Sequence, residues 1–140
     1  MFFDSKGPAA CATCHVGINA DGQLAGSTIA PDLTAIASFR TSEHILKKIV
    51  KPDSNIVSGY EEELIETQDG RLFVGIVIEE RNGKLTLSDK SGTSFLIDAN
   101  DISTRTTQTG SMMPGNYDEL LNEREMDDLL AYLLSLKGRP

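Results

Sequence analysis

Tryptophan is absent from the 140 residues, and cysteine and histidine occur only twice each. Two cysteines cannot build a disulfide-stapled scaffold, and a chain of this length can bury a core without one. No apolar run approaches the length needed to span a bilayer. "MFFDSKGPAA" lacks the basic start and apolar stretch of a signal peptide. Basic residues are the minority, 13 against 21 acidic ones, for a net charge of −8. An acidic chain repels a phosphate backbone, which argues against nucleic acid as a partner. With 39% hydrophobic and 24% charged residues, the chain reads as soluble and globular, a single domain over residues 1–140.

The scarce cysteines stand together, as Cys11-Ala12-Thr13-Cys14-His15. Four chemistries compete for them. A CxxC redox pair sits at the start of a helix in a βαβ frame, and too little chain precedes Cys11 for the first strand. A structural zinc needs four ligands, and His44 is the one histidine left to add. Buried cysteines alone would not need His15. A haem uses every residue: two thiols add across its vinyl groups as thioethers, and the histidine beside Cys14 is carried under the iron.

A haem needs a second axial ligand, and "GSMMPG" offers one. A thioether is a soft ligand that raises the potential when it opposes histidine. Met112 and Met113 precede Pro114, which removes a backbone donor and stops a helix from forming there. Pro114 also restricts Met113 to extended geometry, so Met113 is favoured over Met112. "APDLT", residues 30–34, follows the cysteines by one loop. A carbonyl at Pro31 is expected to meet the Nδ1–H of His15 and fix the ring.

Elsewhere the pattern alternates between helix and strand. "SEHILKKIVKP" predicts an amphipathic helix stopped by Pro52, with Ile45 and Ile49 inward and His44 on the surface. From residue 60 to 107 the period becomes two. Asp69-Gly70 and Asn82-Gly83 mark hairpins in an antiparallel meander of four or five strands, curled toward a small barrel. Leu72, Val74, Ile76 and Ile78 share one face, and Phe73 and Val77 the other. This insert reads first as scaffolding and second as a docking platform. At the C-terminus Asn122 and Glu125 resemble a capping box. Met126, Leu129, Leu130, Leu133 and Leu136 then recur at helical spacing up to Gly138.

In order along the chain, "FF…CATCH", "APDLT", "SMMPG" and "EMDDLLAYLLSL" resemble class I cytochromes c. With "SEHILKKIVKPDSNIVSGYEEELIETQDGRLFVGIVIEE" added, nearly the whole chain is similar to the C-terminal haem-binding domain of large bacterial membrane-bound dehydrogenases. The resemblance implies a mainly α cytochrome c fold with an inserted antiparallel β-sheet, α+β overall. It implies one covalent haem c with its iron, bound by Cys11 and Cys14, with His15 and Met113 as metal ligands. The function implied is electron transfer to a redox partner protein or a fused dehydrogenase domain, without enzyme activity in the domain itself. A haem-based sensor or a peroxidase-like domain with a labile distal ligand is the alternative. Haem attachment implies export to the periplasm, with the signal sequence outside this chain. Ala30 replaces the glycine usual in the family, and Phe2-Phe3 lies far ahead of Cys11, so the first helix is expected to be short and to restart at Pro8.

Overall fold

The computed structural model describes residues 1–138 of the chain. The chain divides into two compact units, one made from its two ends, Met1–Asn55 with Pro114–Pro140, and one from its middle, Ile56–Met113.

In the terminal unit, a 3₁₀ turn at Cys11–Thr13 leads into a hairpin of β1 (Val16–Ile18) and β2 (Leu24–Gly26). Two short helices follow, α1 (Ile36–Phe39) and α2 (Ser42–Val50). α2 begins where Thr41 accepts the N–H of His44 at 3.2 Å, satisfying a donor that the first turn leaves open. Its i, i+4 pair Ile45 and Ile49 is buried, Leu46 is exposed, and Pro52 ends it. At the far end of the chain, α3 (Tyr117–Leu120) and α4 (Glu123–Leu134) complete the unit. The capping box at α4 is present: Asn122 Oδ1 accepts the Glu125 N–H at 2.9 Å, and Asn122 Nδ2 donates to Glu125 Oε1 at 2.6 Å. Leu129, Leu133 and Leu136 are buried. Gly138 then takes a left-handed φ of 83° and donates its N–H to Thr34 O at 2.9 Å. Ala37 N–H donates to Leu136 O and Ser38 Oγ to Lys137 O, each at 2.9 Å, so the segment after α4 is tied to α1.

The middle unit is one antiparallel sheet. Its strands are β3 (Glu63–Thr67), β4 (Leu72–Arg81), β5 (Lys84–Ser88), β6 (Ser94–Asp98) and β7 (Ile102–Thr107), in the order β6-β5-β4-β3-β7. The first four form the meander, and β7 returns to pair with β3. Asn82-Gly83 turns with positive φ at both residues, 53° and 71°, the geometry of a tight hairpin. Ile65, Leu85, Leu87 and Ile97 form the buried core, joined by Phe73, Val77, Phe95 and Ile102. On β4, Phe73 and Val77 pack against this core and Leu72, Val74 and Ile78 are exposed, while Ile76, on the latter face by alternation, is buried. A register shift between Val77 and Glu79 bends β4. Gly75 admits no side chain, because a Cβ there would stand 2.2 Å from Ser88 O.

Two sequence expectations are corrected here. The fold is not mainly α: the described residues form seven strands in two sheets, and two of the four helices are single turns. No helix restarts at Pro8, because Ala10 has a left-handed φ of 47° and the chain after it makes only a 3₁₀ turn. Gly17 and Gly26 then favour the close backbone pairing of β1 with β2 over a helix, in which glycine costs about 1 kcal/mol relative to alanine.

Arg105 on β7 grips Glu63 of β3 with two bonds, 2.6 and 3.1 Å, and also donates to Glu80 at the end of β4. Arg105 holds the Glu80 carboxyl below the usual carboxylate range. A depressed folded value adds stability above the unfolded pKa and loses it as pH falls through the folded one. Because these side chains are partly exposed, the contribution is modest. Arg105→Met is expected to lower unfolding stability at pH 7 by about 1 kcal/mol, read from urea denaturation. The difference should shrink below about pH 4, near the unfolded carboxylate value. A deficit that does not change with pH would show that packing, not the charge, is what the arginine supplies.

Candidate functional site

Cys11, Cys14 and His15 lie half-buried in one turn. The turn is closed by backbone bonds: Cys14 N–H to Cys11 O at 3.1 Å and His15 N–H to Cys11 O at 2.9 Å. Thr13 Oγ1 donates to Ala10 O at 2.6 Å and stiffens it. Both cysteines are free thiols. Burial pushes the Cys11 thiol up to about 11, the opposite of the lowered value that makes a CxxC thiol a ready nucleophile. Among the described residues, no three His, Cys, Asp or Glu side chains converge to hold a metal ion, these three included. A zinc would therefore lack its donors, whereas a porphyrin brings four nitrogens of its own.

The ring of His15 is held from one side. Its Nδ1 lies 2.7 Å from Pro31 O. A carbonyl only accepts, so Nδ1 carries the proton and the Nε2 lone pair is left for an incoming group. Burial lowers the His15 pKa, and the Pro31 carbonyl partly opposes that shift.

Pro31 reaches this position through the first hairpin. β1 leaves His15 directly and pairs with β2. Ser27 N–H then returns to His15 O at 3.3 Å, Ala30 N–H to Cys14 O at 2.9 Å, and Leu33 N–H to Val16 O at 3.0 Å. These bonds lace the 27–33 loop alongside the motif. The lacing needs Gly26, since a Cβ there would fall 2.0 Å from His15 O and the φ is 120°.

Two tyrosines anchor the motif's flanks, a role sequence reasoning gave to neither, although it put Tyr132 on or near the apolar face of the C-terminal helix. Tyr132 of α4 accepts the Ile18 N–H at 3.0 Å and donates to Ile18 O at 2.9 Å. Tyr117 of α3 donates to Ala9 O at 3.2 Å, two residues ahead of Cys11. Burial raises both phenols, Tyr117 to about 12, with the nearby Cys11 adding to each shift. The rings of Phe2 and Phe3 pack on Tyr132 with centroids 5.0 and 5.9 Å away. Gly17 makes room for this cluster: a Cβ there would meet the Tyr132 hydroxyl at 2.5 Å and the Phe2 ring at 2.8 Å. A glycine one residue past the motif's Val16 was the available signal of close approach.

The other expected residues are placed as follows. His44 is half-buried in the first turn of α2, and only its backbone N–H is bonded there. Met112 and Met113 lie within residues 108–116, which form neither helix nor strand. The Met113 N–H donates to Ser111 Oγ at 3.1 Å.

No family model matches the chain, and no curated protein does. Among solved structures it is similar to a crystal structure of the pleiotropic translational regulator Hfq, at 21% identity and a TM-score of 0.34, over 50% of this chain and 100% of that one. The resemblance to class I cytochromes c, and to the haem-binding domain of the dehydrogenases, is corrected. A β-rich chain of seven strands is not the mainly α fold which that resemblance implies, and neither a family model nor a curated protein supports it. No helix among the described residues is long and apolar enough to cross a membrane.

Tyr132→Phe keeps the ring against Phe2 and deletes both bonds to Ile18, so it is expected to cost about 1–2 kcal/mol for the half-buried backbone groups left unpaired. Gly17→Ala forces the same hydroxyl away and should cost a similar 1–3 kcal/mol. Urea titration of the two single variants and the double variant checks this. Because both act on one contact, the double variant should lose less than the sum of the singles. Full additivity would mean the two residues are independent.

Proposed function

We propose that the chain carries one haem covalently through Cys11 and Cys14, with His15 as an axial ligand through Nε2, and that it passes single electrons to a redox partner protein or a fused dehydrogenase domain without itself being an enzyme. The observation that carries this reading is the 2.7 Å contact of His15 Nδ1 with Pro31 O, which leaves the opposite ring nitrogen as the donor. The donor set fits the group: two free thiols one turn apart, with a histidine directly behind the second. Bound there, the haem would supply a one-electron ferric–ferrous couple.

The chain's own residues have three tasks. The 3₁₀ turn holds the thiols in register. The Pro31 carbonyl orients the imidazole and raises its basicity. The Tyr132 and Tyr117 anchors keep the turn from reorganising, which favours a carrier over a group that must move during turnover. On the chemistry of its thioether, Met113 is proposed for the second axial position, with Met112 the competing sulfur. Covalent attachment also places the proposed working compartment outside the cytoplasmic membrane.

Intact-mass measurement of the native protein is expected to show one added haem that survives acid–organic extraction. Cys11→Ala/Cys14→Ala should lose it. Retention of extractable-resistant haem in that double variant, or an unmodified mass in the native protein, rejects the proposal.

The oxidised protein is expected to show a weak near-infrared sulfur-to-iron band, absent in Met113→Ala and present in Met112→Ala. Met113→Ala should also have the lower potential, since the thioether stabilises ferrous iron. A band lost only in Met112→Ala assigns the other sulfur. A band unaffected by either change removes methionine from the site.

A further inference from the structure

Positive charge is concentrated on one flank of α2. Lys47, Lys48 and Lys51 cluster at its C-terminal end, one to two turns past His44 on the same side of the helix. The buried pair Ile45 and Ile49 faces elsewhere, so this row borders solvent. Arg40, just ahead of the helix, extends it, and Arg40, Lys47 and Lys51 are exposed.

Glu43, in the first turn of α2, is the carboxylate one helical turn ahead of Lys47. Five ion pairs lie within the middle unit, and none of these five includes Arg40, Lys47, Lys48 or Lys51. Burial, then Arg40 and Lys47, hold the Lys48 amine below its ordinary value. Two lysines in a last turn suit the helix dipole, which accounts for Lys47 and Lys48. It does not account for Arg40, which lies at the other end of the helix. Nor does it account for Phe39, which is 72% exposed beside the row. The Arg40 guanidinium folds back to donate to Phe39 O at 2.9 Å, which holds the cation close to the Phe39 backbone.

We propose that this flank docks a carboxylate-rich surface of a protein partner, with Phe39 as the apolar anchor. The charge is complementary, and an aromatic ring beside an arginine is the composition of interface anchors. The row from His44 to Lys51 spans about 10 Å along the helix, enough for a local acidic patch. It is short for the long, uniform charge of nucleic acid or an anionic bilayer, and the net charge of −8 opposes both at longer range. The surface does not depend on what Cys11 and Cys14 carry, so it stands or falls apart from the haem proposal.

The test is fluorescence anisotropy of the full chain with a labelled peptide of mixed Glu and Leu residues, combined with hydrogen exchange. Saturable binding is expected, about tenfold weaker on passing from low to physiological salt, with protection confined to residues 39–51. Lys47→Glu/Lys51→Glu should abolish it, and Lys47→Gln/Lys51→Gln, which leaves the helix less perturbed, should weaken it about tenfold. Phe39→Ser should weaken it by a factor that does not change with salt. The proposal is overturned if both lysine double variants bind like the parent, if protection maps elsewhere, or if Phe39→Ser has no effect. Tighter binding of anionic phospholipid vesicles or of an oligothymidylate at the same flank overturns it equally.

Discussion

One hydroxyl holds the terminal unit together. Tyr132 exchanges two hydrogen bonds with the backbone of Ile18, a residue 114 positions away. Closing so long a loop is entropically costly, and the buried Phe2–Tyr132–Gly17 cluster offsets that cost with apolar burial. From Ile18 the consequences run back along the chain. β1 is fixed, β2 pairs with it, the 27–33 loop is laced to His15, Cys14 and Val16, and Pro31 arrives under the imidazole. The ring orientation that the proposed chemistry needs is thus the last link of a series that starts on the C-terminal helix.

The middle unit answers to a different constraint. Its sheet has one inward face, and Gly75, lying against Ser88 O, lets β4 and β5 approach closely above Leu87. β7 is tied back by polar contacts as well as by its ladder: Gln68 N–H to Asp101 O at 2.7 Å, Ser103 Oγ to Glu66 O at 3.0 Å, and Arg105 to both glutamates. A strand with every position but Ile102 exposed needs such ties. It buries too little apolar surface to be held by packing alone.

Charge is divided as unevenly as structure. Five ion pairs belong to the sheet: Arg71–Asp69 at a turn, Arg81–Glu79 within β4, and Lys84–Asp98, Arg105–Glu63 and Arg105–Glu80 between strands. In the terminal unit the acidic residues gather on α3 and α4, Asp118, Glu119, Glu123 and Glu125 among them, where they suit the helix N-termini. The lysines gather on α2. A chain that is acidic as a whole thereby presents one basic flank, and net charge alone does not reveal it.

The sequence by itself determined what is local. Thr41 and Asn122 start helices because their side chains reach an N–H three residues on. Asp69-Gly70 and Asn82-Gly83 turn hairpins because their backbones tolerate the required dihedrals. Cys11, Cys14 and His15 fall within five consecutive residues, so their chemistry was open to reading from spacing. Only the tertiary structure decided the fold class, the return of β7 to β3, and the inward face of β4. It also decided that the chain around the motif is a hairpin and a 3₁₀ turn rather than a helix. Each of these rests on partners distant in sequence, Tyr132 for Ile18, Arg105 for Glu63 and Ser88 for Gly75. Local propensity is worth tenths of a kcal/mol per residue, and such contacts outweigh it.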